Sequence, residues 1–112
     1  MELLVPLHKL LLGLPDYEKY ELAAQMRRCS KSIPANIAEG YTRRRFEKEF
    51  KHHLNIAMGE ANEMVVHLEI CRSLAYIDEA ICRELIEGYT IVGKQLFRLI
   101  GNWRTYPRPN PA

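Results

Sequence analysis

The stretch F-E-K-E-F-K-H-H-L-N-I-A-M-G-E-A-N-E-M-V-V-H-L-E-I-C-R-S-L-A, residues 46–75, decides the fold class. Phe46, Phe50, Leu54, Ala57, Ala61, Met64, Leu68, Cys71 and Ala75 follow one another at gaps of three or four throughout. An α-helix turns once in ~3.6 residues, so these side chains share one face. No proline interrupts the run. A helix this long with one apolar stripe needs other helices to bury it.

Those partners lie on either side. Upstream, Leu22, Met26, Cys29, Ile33, Ile37 and Tyr41 keep the same spacing across Pro34, and Gly40 is the expected stop. Pro34 lacks an N–H and leaves the Ser30 carbonyl without its helical donor, which predicts a kink, with Ser30 and Ser32 as compensating groups. Further upstream, Leu3, Leu7, Leu10, Leu11 and Leu14 predict a short helix ending near Gly13, with Asp16 capping the next. Downstream, Tyr76-Ile77-Asp78 reads as a turn, and Asp78 caps a helix carrying Ile81, Leu85, Tyr89, Val92, Leu96, Leu99 and Trp103. No stretch alternates with period two. The fold expected is all-α, an antiparallel up-down-up-down four-helix bundle over residues 1–104. Residues 105–112, with three prolines, are expected to form an extended, mobile tail.

The composition fits a single domain: 112 residues, 47% apolar and 27% charged. Such a chain buries roughly two thirds of its unfolded surface without a disulfide or structural metal. Cys29, Cys71 and Cys82 are odd in number and lack C-x-x-C spacing, so reduced, buried thiols are expected. No apolar run approaches the ~18 residues that span a bilayer. His8 and Lys9 interrupt the leucines near the start, and no basic region precedes them, so a cytoplasmic protein is expected.

The net charge of +2 hides a segmented distribution. Residues 26–54 carry eight basic against three acidic side chains, and residues 55–90 two against seven. Residues 91–112 carry four basic and none acidic. In an antiparallel bundle the first and last of these segments converge on one end. Arg27, Arg28, Lys31, Arg43, Arg44, Arg45, Lys48 and Lys51 are therefore expected there, joined by Arg98 and Arg104. Tyr41-Thr42-Arg43-Arg44-Arg45-Phe46 sets three guanidinium groups on a turn that phosphates can reach. Tyr41, Trp103 and Tyr106 offer stacking faces. This pattern favours RNA or DNA held through its backbone.

Catalytic patterns fit less well. Gly88 to Gln95, G-Y-T-I-V-G-K-Q, nearly matches a phosphate loop, but Gln95 replaces the magnesium-binding hydroxyl and the apolar stripe runs straight through it. A di-metal bundle needs two Glu-x-x-His pairs, and only Glu49 with His52 has that spacing. Glu63, His67 and Cys71 align at i, i+4, i+8, a spacing more common for a packed histidine than for a ligand set. No nucleophile motif is present. The expectation is a non-enzyme without cofactor or metal.

Ser32-Ile33-Pro34-Ala35-Asn36-Ile37-Ala38-Glu39-Gly40 is too particular for a generic bundle. Its polar members Asn36 and Glu39 face away from Ile33 and Ile37, toward solvent or toward contacts between helices or subunits. Together with Gln25-Met26-Arg27-Arg28 and Leu54-Asn55-Ile56-Ala57-Met58-Gly59-Glu60-Ala61-Asn62-Glu63, it resembles the four-helix-bundle proteins encoded in intervening sequences of bacterial large-subunit rRNA genes. Gly101-Asn102-Trp103 is similar to the Gly-x-Trp ending of the accessory variability determinant proteins of diversity-generating retroelements, which share this fold. The resemblance implies a homopentameric, non-enzymatic helper that binds nucleic acid and a reverse transcriptase, with Ser32, Pro34, Asn36, Glu39 and Gly40 as a structural motif. The alternative is a protein-interaction scaffold using Asn36 and Glu39 or the acidic turn around Glu79, Glu84 and Glu87.

Overall fold

The computed structural model describes residues 3–105 of the chain. It contains α1 (Leu4–Leu11), a 3₁₀ turn (Asp16–Glu18), α2 (Leu22–Thr42), α3 (Glu47–Ser73) and α4 (Glu79–Asn102), and no strand among the described residues. This is a four-helix bundle with unequal members. The long α3 runs antiparallel to α2 on one side and to α4 on the other, while α1 lies on α2. Eight residues of α1 rise ~12 Å against ~31 Å for α2, so α1 covers only part of its neighbour. Apart from Thr105, the expected tail lies outside the described residues, as does Tyr106.

The stripe in residues 46–75 forms the central seam: Phe50, Leu54, Ala57, Ala61, Met64, Leu68 and Cys71 are all buried. Its two ends behave differently. Phe46 is the exposed N-cap of α3, and Ala75 lies beyond its last turn. There Tyr76 N–H donates to the Cys71 carbonyl and Ala75 N–H to that of Arg72, the paired bonds that close a helix through a left-handed residue. Ala75 takes that conformation, with φ of 55°, where glycine is the usual occupant. Tyr76 then pins the 3₁₀ turn by donating its hydroxyl to Glu18 Oε2 at 2.9 Å.

Several local expectations are corrected. Asp16 does not cap α2; it lies in the 3₁₀ turn, and Glu21 precedes α2 without a side-chain cap bond. Gly40 does not stop α2, which continues to Thr42. Instead a Cβ at Gly40 would lie 3.0 Å from His53 Cβ and 3.3 Å from the Phe50 carbonyl, so glycine there lets α2 and α3 approach. Helix α2 runs through Pro34, and Ser30 Oγ donates back to the Arg27 carbonyl rather than compensating for the proline. On α4, Cys82 takes the core position expected of Ile81, which is exposed, as is Leu99. Tyr41 is also exposed.

The expected cap of α4 and the buried thiols are present. Asp78 caps α4, accepting from Ala80 N–H at 2.7 Å. The three cysteines are free and buried. Cys29 donates to the Glu60 carbonyl at 3.1 Å and Cys82 to that of Leu68 at 3.2 Å, while Cys71 packs on Met26 Sδ. Burial pushes all three thiols up, Cys71 to about 11. No described helix is long and apolar enough to cross a membrane.

Candidate nucleic-acid interface

The C-terminus of α4 returns to the α2–α3 turn, as the segment charges anticipate. Trp103 stacks edge-on against Phe50 with ring centroids 4.6 Å apart, and its Nε1 donates to Thr105 Oγ1 at 2.9 Å. Thr105 in turn donates its hydroxyl to the Arg44 carbonyl at 2.8 Å and its N–H to Glu47 Oε1 at 2.9 Å. The first residue of the expected mobile tail is thus tied down. That Thr105 N–H holds the Glu47 carboxyl below its usual range, with Lys51 and Arg104 adding to the effect.

Around this junction the cations fall into two groups. Arg43 is engaged by Glu39 at 3.0 Å and by Glu49 at 3.5 Å, and Lys51 by Glu47 at 3.5 Å. Arg44, Arg45, Lys48, Arg98 and Arg104 have no carboxylate within ion-pair distance among the described residues. The Arg44 guanidinium lies 4.1 Å from the Tyr41 ring centroid and donates to the Tyr41 carbonyl, which holds the arginine in place without neutralising it. Arg104 is braced similarly by the carbonyls of Gly101 and Trp103.

Arg27, Arg28 and Lys31 do not belong to this end, contrary to the expectation. Helix α2 is continuous, so Arg27 stands fifteen residues, ~22 Å, before Thr42. Arg27 and Lys31 instead stand beside α1, where with His8 and Lys9 they line a separate groove with Leu4, Val5 and Leu12, while Arg28 is exposed outside it. Arg27 also donates to the Lys19 carbonyl at 3.1 Å. Burial holds the His8 pKa below its ordinary value, and the charges of Lys31 and Arg27 depress it further.

The Ser32–Gly40 motif serves the α2–α3 contact. Asn36 Nδ2 donates to the Ser32 carbonyl and Oγ, both at 3.0 Å, leaving Asn36 Oδ1 3.2 Å from His53 Nδ1 on α3. Glu39 is the ion-pair partner of Arg43. The motif thereby fixes the turn that carries the arginines.

The catalytic near-matches resolve into packing. Residues 88–95 lie wholly inside α4, and Gly88 accommodates Leu3 of the α1 entrance, whose Cδ2 would be 2.6 Å from an added Cβ. Glu63 and His67 pair at 3.3 Å, but Cys71 faces Met26. Ligand atoms of Cys29, Glu60 and Glu63 come within 4.8 Å of one another, with the Cys29 thiol already committed to a backbone carbonyl.

One surface escaped the sequence reading. Met58, Asn62 and Val65 of α3 and Thr90, Gly93, Lys94, Phe97 and Arg98 of α4 line an open groove of about 680 Å³. Phe97 is 69% exposed in it. Its place beside the stripe residue Leu96, between Lys94 and Arg98, is the sequence signal for an aromatic ring set among cations.

Fold and charge together define a class, the small antiparallel helical bundle with a cationic end. Residues 1–98 match the family described as 23S rRNA-intervening sequence protein, and the chain belongs to that family. A crystal structure at 1.70 Å from Bacteroides thetaiotaomicron, of a protein of unknown function from the S23 ribosomal protein family, is similar in fold. It aligns with a TM-score of 0.73 and 30% identity over 87% of each chain. No curated protein matches the chain.

Proposed function

We propose that this protein is a non-enzymatic nucleic-acid-binding accessory protein that holds RNA, or an RNA–DNA hybrid, through its phosphate backbone. The observation that carries the reading is the set of cations without carboxylate partners, Arg44, Arg45, Lys48, Arg98 and Arg104, gathered where the α2–α3 turn meets the end of α4. Arg43 and Lys51 contribute less because neighbouring carboxylates already neutralise them. Arg27 and Lys31, beside α1, provide a second contact farther along α2. Membership of an rRNA-intervening sequence family supports an RNA context.

A single patch of this size binds weakly. In a homopentamer, simultaneous engagement of several copies raises avidity by 10²–10⁴. Specificity then comes from a protein partner, a reverse transcriptase in a retroelement context, more than from contacts to base edges.

The test is fluorescence anisotropy of a labelled RNA over a series of salt concentrations. Arg44→Ala, Arg45→Ala and Lys48→Ala combined is expected to weaken binding and to flatten the dependence of log K on log salt by ~0.7 per lost phosphate contact on a single strand. Helix content by circular dichroism stays the same, since all three side chains are exposed. Unchanged affinity and slope in that variant would overturn the reading.

A further inference from the structure

The α3–α4 groove combines three features, of which the backbone-binding reading uses only Arg98. Its wall is an aromatic ring, Phe97, left 69% exposed although Leu96 beside it is buried. Its rim carries Lys94 and Arg98, neither of which has a carboxylate within ion-pair distance among the described residues. Across from them stands the Asn62 carboxamide, its Oδ1 only 3.1 Å from where a Cβ on Gly93 would be. Any larger residue at position 93 would press on that amide, so glycine keeps the groove open at its centre.

We infer that this groove is a nucleobase platform for a single strand, in which a base stacks on Phe97, its flanking phosphates lie against Lys94 and Arg98, and Asn62 meets the base edge. The inference rests on the nucleic-acid reading above and names the kind of strand it takes. A flat π-face flanked by cations fits a base with its phosphate, because stacking tolerates any base and the charges supply the phosphate contact. The groove is open to solvent and, at about 680 Å³, has room for a nucleotide laid along it. The lining itself is one-signed: Lys94 and Arg98 are its charged members, and no carboxylate is among the residues that form it. The groove also adjoins the cationic end through Arg98. Phe97 stands five residues, ~8 Å, before the end of α4, so a strand held at Arg104 and Arg44 has less than two helical turns to cross to reach it. A duplex keeps its bases stacked on one another and cannot use the ring, so the groove discriminates by strandedness.

The experiment compares a labelled single-stranded oligoribonucleotide with the matched duplex. Phe97→Leu keeps an apolar side chain of similar size and removes the π-face, while Phe97→Trp restores it. Expected are a loss of about tenfold in single-strand affinity for Phe97→Leu, little change for the duplex, and recovery with Phe97→Trp. Irradiation of 4-thiouridine-substituted RNA is expected to cross-link to the α4 peptide containing Phe97. Equal effects of Phe97→Leu on both nucleic acids, or none on either, would overturn the platform. So would a change in sedimentation on Phe97→Leu, which assigns the face to a contact between copies of the chain. The Arg44, Arg45 and Lys48 variant separates the two readings: if it weakens both nucleic acids while Phe97→Leu is neutral, only the platform fails. If the wild-type protein binds neither nucleic acid, both readings fail.

Discussion

Ala75 shows how one residue can hold strain that the rest of the fold overrides. Its φ of 55° is required by the paired hydrogen bonds that end α3, yet its Cβ opposes that conformation. Relief of that clash outweighs the extra chain entropy glycine brings to the unfolded state. Ala75→Gly is therefore expected to stabilise the fold by up to ~1 kcal/mol, read as a raised midpoint in urea with an unchanged slope. His8 offers a second test at this scale. Its pKa is lowered in the folded chain, so the unfolded chain binds the proton more readily between the lowered value and the ordinary one near 6.5. Stability is expected to be fully present above that range and to fall as pH drops through it. Replacing His8 with Gln should remove this part of the pH dependence, seen as a smaller shift in thermal midpoint between pH 7.5 and 5.5.

Among the elements, α3 is the one that organises the others, because only it contacts both α2 and α4 along its length. Helix starts are less uniform. Helix α4 has a side-chain cap from Asp78, whereas α2 and α3 begin at Glu21 and Phe46 without one. Asp78→Ala leaves the Ala80 N–H unpaired and is expected to cost ~1 kcal/mol, measured by denaturant unfolding. The spacing of apolar residues revealed all four helices and most of their buried faces. It gave Ile81 in place of Cys82 because a period of three or four tolerates a one-residue shift in a helix with adjacent apolar residues. It also ended α2 at Gly40. A glycine is a helix stop when it supplies a left-handed turn, but here it serves a close approach of His53 and Phe50, which no local pattern displays.

For the whole molecule, charge by segment correctly joined the end of α4 to the α2–α3 turn, since antiparallel order follows from short connections. It overestimated the cluster. Arg27, Arg28 and Lys31 share a charge segment with the turn arginines but stand about 16 to 22 Å away along a rigid helix. Arg43 and Lys51 are adjacent to the turn yet spent on Glu39, Glu49 and Glu47. Their removal is accordingly expected to change RNA affinity less than removal of Arg44, Arg45 and Lys48, a comparison made by titrating both variants at one salt concentration.

Helical periodicity, the Asp78 cap, the buried thiols and the polarity of the chain were determined by the sequence alone, because each depends on neighbours within a few residues or on connections too short to allow another order. Which cations remain unpaired, why residue 40 must be small, and where Phe97 stands open between Lys94 and Arg98 were decided only by tertiary structure. Those properties depend on side chains brought together from different helices, and their distances are set by packing rather than by spacing along the chain.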